Sequence, residues 1–252
     1  MLSFFEKVYC INLTSRTDRW DNCQAQFSKF GMSGVQRFDA IKYNHPNLSA
    51  KTNGHIGCSL SHYNIIKEAK LKNYSNILVL EDDFIFLKEP YEFNIKLKKS
   101  LDELPSDWDL FYLGSNFVKG YDYEPTERYS NNLIKVNTGF CLHSVSYSSR
   151  GMDKILKSFK LNSELDILYF FEEYESIDWY LVREFQHENN CFASDELLSS
   201  QGAGFSDIEG VIYEELCPKG KAYIKKRQAA GEKSSAYLSG RAVKVCKGQM
   251  KG

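Results

Sequence analysis

Three consecutive carboxylates, Glu81-Asp82-Asp83, directly follow the apolar run Asn76–Leu80. A continuous aliphatic run of this kind is typical of a strand that is buried on both faces. Carboxylates crowded beside such a strand repel one another and lose hydration unless a cation or hydrogen-bond donors compensate. Mg²⁺ and Mn²⁺ bind carboxylate oxygens together with substrate phosphates. The triplet therefore predicts a divalent-metal site, and the plainer alternative is an acidic, solvated turn.

A second polar segment, Asn12–Arg19, follows the first predicted strand. It brings two guanidinium groups, Arg16 and Arg19, to a helix start at which Asp18 is the expected N-cap. Helix N-termini bind phosphate through free N–H groups, and arginine adds bidentate donors. The segment predicts an anion site, unless the two arginines simply pair with Asp18 or Asp21. An anion site and a cation site at one sheet edge together suit a metal-diphosphate ligand.

Two further segments carry polar side chains whose roles the sequence leaves open. In Gly57–His62, Ser61 and His62 could donate hydrogen bonds to phosphate or sugar hydroxyls, and His62 could equally be a satisfied core histidine. Asp178 comes at the start of a predicted helix, where it is either an N-terminal stabiliser or a catalytic base. Asp207 follows a glycine-containing loop that suits a lid or an ordinary surface turn.

Alternating strands and helices must position these groups. The apolar patterns predict strands at 7–12, 35–40, 76–80, 109–113 and 133–143, and helices at 18–30, 53–72, 148–159 and 177–186. This alternation indicates an α/β fold, in which crossover helices flank a sheet. Ligands of such open sheets bind beyond the carboxyl ends of the strands. The acidic triplet and the arginine segment both follow strands, so we expect them at that edge.

Composition places the chain among globular proteins, because 42% of its 252 residues are hydrophobic and 26% are charged. No apolar run approaches the roughly 18 residues that a membrane span requires, and Glu6 and Lys7 interrupt any signal-peptide core. The seven cysteines are scattered without a Cys-x-x-Cys pair, which fits a reducing compartment. We therefore expect a cytoplasmic protein.

Charge is distributed unevenly along the chain. Residues 219–252 carry ten Lys or Arg and one Glu, whereas the preceding residues are net acidic. We expect a globular domain over residues 1–215 and a basic, flexible tail over 216–252. The tail either attaches the protein peripherally to the anionic inner face of a membrane or is a disordered solubilising end. Nucleic acid is an improbable partner, because the body is acidic and no aromatic-basic interleaving occurs.

Taken together, these motifs resemble glycosyltransferase family 25, which includes lipooligosaccharide and collagen galactosyltransferases. The resemblance spans about residues 7–210 in the order of the family. It is carried by Val8–Leu13, Asp18–Trp20, Gly57–His62, Leu78–Asp83, Asp107–Gly114, Thr138-Gly139, Ser148–Gly151, Ile177–Trp179, Gln201 and Ser206–Ile208.

The resemblance implies a GT-A-like, Rossmann-related mixed sheet flanked by helices. It also implies transfer of a sugar, typically galactose, from a UDP-sugar to a glycan acceptor such as a lipid-linked lipooligosaccharide, with inversion at the anomeric carbon. Mn²⁺ or Mg²⁺ would then be held by Asp83 and Glu81. The expected donor-binding residues are Asn12, Arg16, Asp18, Arg19, Ser61, His62, Glu81 and Asp82.

An inverting displacement needs one general base on the acceptor hydroxyl. We assign this role to Asp178, with Asp207 as the second candidate. Two other classes remain open from the residues alone. A metal-dependent phosphohydrolase or nucleotidyltransferase would use similar carboxylates and arginines, and a non-catalytic relative would bind the nucleotide sugar without turnover.

Overall fold

The computed structural model describes residues 2–120, 124–202, 204–205, 208, 212–213 and 218–229. Contacts divide the chain into two compact units, residues 1–201 and residues 202–252. The predicted division into a transferase domain over 1–215 and a basic tail over 216–252 stays a prediction.

Strands and helices alternate along the first unit. After a 3₁₀ turn at Leu2–Phe4, the helices are α1 (Thr17–Lys29), α2 (Ala50–Leu71), α3 (Pro90–Glu103), α4 (Ser149–Ser158), α5 (Glu164–Tyr174) and α6 (Ile177–Tyr180), the last continued by a π-helical segment, Leu181–Phe185. The strands are β1 (Lys7–Asn12), β2 (Gln36–Asp39), β3 (Asn76–Glu81), β4 (Phe84–Phe86), β5 (Leu110–Tyr112), β6 (Asn116–Phe117), β7 (Thr126–Arg128), β8 (Leu133–Val136), β9 (Gly139–Phe140), β10 (Ser144–Ser148), β11 (Cys191–Ser194) and β12 (Ser199–Gln201).

The described part of the second unit contains an antiparallel pair, β13 (Gly204–Phe205) and β14 (Ile212–Tyr213), and a helix, α7 (Pro218–Ala229). Helix α7 lies in the segment predicted as a tail. Among the residues that the structure describes, no helix is both long and apolar enough to span a membrane.

The main sheet of the first unit has eight strands in the order β2-β1-β3-β10-β5-β11-β8-β7. Strands β1, β2 and β3 are parallel, as are β5 and β11, whereas β10 runs antiparallel between β3 and β5. Short two-stranded sheets, β12-β4 and β6-β9, accompany it. This mixed sheet flanked by helices confirms the predicted fold class.

Strand β3 shows why the sheet is buried on both faces. Its side chains alternate, so that Ile77 and Val79 join the core beneath α2, α4, α5 and α6, while Leu78 and Leu80 join the core beneath α1 and α3. All four side chains are fully buried. Helices therefore cover both faces, and the carboxyl end of β3 is left as the place where polar groups collect.

Most of the predicted elements are confirmed, with corrections at their ends. Helix α1 begins at Thr17, so Arg16 rather than Asp18 is the N-cap residue, and Asp18 lies in the first turn. The predicted strand over 133–143 is in fact two short strands, β8 and β9. Helices α3 and α5 and the central strand β10 were not predicted.

Gly57 allows helix α2 to pack closely against the segment that follows β2. A Cβ atom at this position would overlap the backbone oxygen of Ile41, at a distance of 2.3 Å. A backbone atom cannot move aside as freely as a side chain can. We expect Gly57→Ala to lower the free energy of unfolding by about 1–3 kcal/mol, as overpacking does. Chemical denaturation measures this, with Leu71→Ala on the same helix as a control, because Leu71 is 82% exposed. An unchanged stability for Gly57→Ala would contradict the packing.

Candidate active site

Several of the predicted site residues, among them Asn12, Arg19 and the acidic triplet, meet at the carboxyl ends of β1 and β3. Ile11 of β1 lies opposite Glu81 of β3, so Asn12 is next to the acidic triplet. Alternation continues to the end of the strand: Glu81 contacts side chains of α2, whereas Asp82 contacts a side chain of α1. The chain turns immediately after β3, and this turn places Asp83 close to Arg19.

Asp82 is held by two donors from the β1–α1 region. Its Oδ2 accepts a hydrogen bond from Asn12 Nδ2 at 2.5 Å, and its Oδ1 accepts one from Arg19 Nη1 at 2.6 Å. The Arg37 guanidinium in turn donates to Asn12 Oδ1. Burial raises the pKa of Asp82, and Arg19 opposes that effect. Asp82 thus fixes Asn12 and Arg19 at the sheet edge.

The two predicted arginines have different positions. Arg19 Nη1 lies 3.8 Å from Asp83 Oδ2 as well as contacting Asp82, so this guanidinium serves two carboxylates of the triplet. Arg16 binds the Asp18 carboxylate through Nε at 2.9 Å and Nη2 at 2.8 Å, which holds the pKa of Asp18 well below its usual range. The plainer alternative, pairing with Asp18, therefore holds for Arg16, whereas the Arg19 guanidinium pairs with Asp82.

Asp83 has an unsatisfied oxygen. Its Oδ2 accepts a hydrogen bond from Gln201 Nε2 at 3.2 Å, while its buried Oδ1 has no hydrogen-bond partner among the described residues. Burial, followed by the negative charge of Glu81, raises the pKa of Asp83 to about 7. A buried carboxylate without compensation is costly, and a bound cation would supply that compensation. Asp83 therefore fits the predicted role of metal ligand.

Glu81 is the best compensated of the three carboxylates. Its Oε1 accepts a hydrogen bond from His62 Nε2 at 3.1 Å and another from the Cys58 thiol at 3.4 Å. Burial opposes the ionisation of Glu81, but the contacts with His62, His143 and Cys58 together outweigh it, so the pKa of Glu81 lies below its usual value. Glu81 is therefore the triplet member that stays charged most readily.

Asp178 projects into the same acidic region from α6. Its buried Oδ1 finds no hydrogen-bond partner in the described part of the chain, and burial, followed by the charge of Glu81, raises its pKa to about 7. Ser176 rather than Asp178 caps α6, since the Ser176 hydroxyl accepts the Trp179 N–H at 3.4 Å. Ser176 is therefore the N-cap, and Asp178 lies in the first turn of α6, the position expected of an N-terminal stabiliser.

The backbone at Cys141 supports Asp178. Cys141 has a φ of 72°, in the left-handed region that a residue with a Cβ adopts only at a cost. Its backbone N–H forms a hydrogen bond that partly lowers the pKa of Asp178. Strain of this kind commonly accompanies functional sites, which is consistent with a site at Asp178.

Because the folded state raises its pKa, Asp178 should stabilise the protein less as the pH increases. Its stabilising contribution is complete below the unfolded pKa and disappears as the pH rises through about 7. Without metal, Asp178→Asn should therefore unfold with up to about 4 kcal/mol more free energy than wild type at about pH 8, and with a smaller gain at about pH 5. Chemical denaturation at both pH values measures the difference. An equal effect at the two pH values would contradict the raised pKa.

The structure separates some predicted residues from the site. The Ser61 hydroxyl is fully buried, donates to the Gly57 carbonyl and accepts the Ile41 N–H, so a structural role is favoured over the predicted donor contact. The His62 ring is also fully buried and acts through Glu81. Asp207 lies outside the described residues.

Several residues of the site were not among the predicted site residues. Cys58 lies four residues before His62, the one signal that could have placed it on the same helix face. Tyr147 places its hydroxyl 3.2 Å from His62 Nδ1, and Gln201 reaches Asp83 from β12. Both contacts join residues far apart in sequence, which local patterns do not reveal.

Comparison with known proteins identifies the family to which this chain belongs. The sequence model of glycosyltransferase family 25 (LPS biosynthesis protein) matches residues 5–165, which contain Asn12, Arg19 and the whole acidic triplet. This match places the chain in the class of glycosyltransferases. Within that class, it belongs to glycosyltransferase family 25.

The chain is similar to several characterised proteins. It is 25% identical over 206 residues to human procollagen galactosyltransferase 2, covering 69% of this chain and 33% of the relative. It is 27% identical over 187 residues to human inactive glycosyltransferase 25 family member 3, covering 65% of this chain and 30% of that protein. The chain thus spans about a third of the length of these relatives. A solved glycosyltransferase involved in glycosylation of the major capsid of PBCV-1 is 11% identical, with a TM-score of 0.46 over 81% of this chain and 95% of that one.

Proposed function

We propose that this chain is an inverting galactosyltransferase that moves a hexose from a UDP-sugar to a hydroxyl of a glycan acceptor, with the help of Mn²⁺ or Mg²⁺. The observation that carries the proposal is a pair of buried carboxyl oxygens beside Glu81, Asp83 Oδ1 and Asp178 Oδ1, to which no described residue donates a hydrogen bond. Asp83 Oδ1 suits a metal ion, and Asp178 Oδ1 suits the proton that a general base accepts.

The donor side is formed by Asp83, Glu81 and the β1–α1 region. Asp83 and Glu81 would hold the cation, and when bound it would neutralise charge developing on the leaving diphosphate. Arg19 already lies within 3.8 Å of Asp83. Its guanidinium would donate to the phosphates of a ligand bound at Asp83, and Asp82 orients it.

The acceptor side is formed around Asp178. A carboxylate whose pKa lies near 7 is well matched to accept a proton from an attacking hydroxyl at neutral pH. The next residue, Trp179, is half-buried, and its ring packs edge-to-face with Phe140 at 4.8 Å between centroids. The Arg183 guanidinium lies over the same ring at 4.5 Å. An aromatic surface beside the base suits a sugar ring, which supports a glycan acceptor.

Two kinds of acceptor are consistent with the family. The family description names LPS biosynthesis, whereas one similar human protein is named procollagen galactosyltransferase 2. We favour a lipid-linked glycan, because a tail with ten basic residues would bring the chain to an anionic membrane surface.

Membrane attachment through the tail predicts a measurable loss on deletion. Each basic residue near an anionic surface contributes up to about 1 kcal/mol, so removing residues 219–252 should abolish co-sedimentation with phosphatidylserine-containing vesicles. A full-length variant with its ten tail Lys and Arg residues replaced by Gln separates charge from length. Unchanged sedimentation of both variants would remove the membrane from the proposal, and it would leave sugar transfer untouched.

A second function, donor binding without turnover, is favoured by one observation: a family member 27% identical to this chain is named inactive. An assay of nucleotide release distinguishes the possibilities. The full chain with Mn²⁺ and UDP-galactose should release UDP in proportion to added acceptor, and NMR of the product should show an inverted anomeric centre. Acceptor-independent release of UMP or of a sugar phosphate would indicate a phosphohydrolase. Binding of UDP-galactose without any release would indicate the non-catalytic relative.

A further inference from the structure

Glu81 of the acidic triplet also belongs to a second side-chain cluster, which it forms with Cys58 and His62. This cluster offers both soft and hard ligand atoms. Cys58 and His62 are four residues apart on α2 and therefore point to the same side, toward Glu81 at the end of β3. The Cys58 sulfur, His62 Nε2 and a Glu81 carboxylate oxygen all lie within 4.8 Å of one another. Both Nε2 and Sγ approach the same oxygen, Glu81 Oε1, at 3.1 Å and 3.4 Å.

We propose that Cys58, His62 and Glu81 form a binding site for a thiophilic divalent cation of the Zn²⁺ type. This site shares Glu81 with the Mg²⁺ or Mn²⁺ site expected at Asp83 but differs from it in the other ligands. In a tetrahedral zinc site the bond lengths place neighbouring ligand atoms roughly 3.3–3.6 Å apart. The Nε2–Oε1 and Sγ–Oε1 separations, 3.1 Å and 3.4 Å, need only a small adjustment to reach that spacing.

The surroundings of His62 suit a metal ligand. Its Nδ1 lies 3.2 Å from the Tyr147 hydroxyl, and both residues are fully buried. Metal-bound histidines commonly donate their second ring N–H to such a partner, which fixes the tautomer and the ring orientation. The Tyr147 hydroxyl can accept this hydrogen bond, so Nε2 would be left with its lone pair for the metal.

Charge and ligand softness both favour Zn²⁺ at this position. The thiol of Cys58 would release its proton to solvent as the sulfur–metal bond forms, and a doubly charged cation compensates the new thiolate. Asp83 and Asp178 add negative charge nearby, since both act electrostatically on Cys58. Thiolate and imidazole ligands select Zn²⁺, whereas Mg²⁺ and Mn²⁺ prefer sites made of oxygen ligands. The two sites should therefore differ in metal preference.

The two sites share Glu81, which has a consequence that rests on the proposed function. Zn²⁺ at Cys58 and His62 would engage the carboxylate that the donor site needs. Zinc should then inhibit sugar transfer even when Mn²⁺ is in excess. Replacement of Cys58 should weaken that inhibition relative to the zinc-free rate of the same variant.

Cobalt spectroscopy tests the site without any assay of transfer. Co²⁺ added to the reduced, metal-free full chain should produce a near-ultraviolet thiolate-to-cobalt charge-transfer band. Cys58→Ser should lose the band, and Cys141→Ser, the matched control, should keep it. Tyr147→Phe should keep the band but bind Co²⁺ about 10- to 100-fold more weakly, as expected for the loss of a group that orients a ligand.

X-ray absorption of the zinc-loaded wild-type chain provides a second measurement that needs no variant. We expect one sulfur at about 2.3 Å and nitrogen or oxygen ligands at about 2.0 Å. A first shell without sulfur, or a cobalt band that survives in Cys58→Ser, would overturn the proposal. Failure of sugar transfer alone would not, because neither measurement depends on turnover.

Discussion

Replacing Asp178 by Asn is expected to slow sugar transfer by about 10²- to 10⁴-fold, the usual contribution of a positioned general base. UDP binding should stay unchanged, because the metal and the diphosphate are assigned to Asp83, Glu81 and Arg19. The amide is nearly the same size as the carboxylate, and none of the residues that the structure describes donates a hydrogen bond to Oδ1 of Asp178. A lower rate with unaltered UDP affinity therefore isolates the proton-accepting role.

The pH dependence of the same reaction gives an independent check. Since the base must be ionised and its pKa is about 7, the wild-type rate should rise with pH and level off above that value. The matched control is Asp153→Asn, because Asp153 is exposed on α4 and pairs with Lys70. Asp153→Asn should keep both the rate and the pH profile. A normal transfer rate in Asp178→Asn would remove Asp178 as the base and leave Asp207 as the second candidate.

Replacing Asp83 by Asn should abolish metal-dependent donor binding. The amide keeps a hydrogen bond with Gln201 but cannot supply the charge that a divalent cation requires. We expect a loss of about 10²- to 10³-fold in transfer rate, comparable to the removal of one electrostatic group from an active site. Electron paramagnetic resonance of Mn²⁺ measures binding directly, because the signal of free Mn²⁺ falls when the ion binds.

In this experiment the wild-type chain should deplete the free Mn²⁺ signal in the presence of UDP, and Asp83→Asn should not. Asp153→Asn again serves as the control for a change in overall charge, and it should behave as wild type. If Asp83→Asn bound Mn²⁺ as tightly as wild type, the metal would have to be held elsewhere and the assigned role of Asp83 would be wrong.

The strands and the acidic edge could be predicted because their signals are local. The apolar run of β3 and the carboxylates after it are contiguous in sequence, and a strand buried on both faces leaves polar groups only at its end. Central strand β10 could not be predicted in the same way. It contains three serines that are nevertheless buried, and Ser146, for example, donates to the Ile77 carbonyl at 2.8 Å. Internal hydrogen bonds thus conceal a core strand behind a polar sequence.

The partners of the site residues were harder to predict than their identity. The sequence left His62 open between a core histidine and a donor-binding residue, and the structure combines features of both: the ring is buried, yet it binds Glu81. Arg19 was expected to face a phosphate or a neighbouring acid, and instead it bridges to Asp82, 63 residues away. Contacts of this kind depend on the order of strands in the sheet, which the local pattern does not contain.

Calorimetric titration of UDP into the full chain, with and without Mn²⁺, tests the central proposal most directly. We predict binding that requires Mn²⁺, that is retained in Asp178→Asn and that is lost in Asp83→Asn. UDP binding that is equally tight without metal would contradict the role of the acidic triplet. No UDP binding under any metal condition would contradict the proposed UDP-sugar transferase itself.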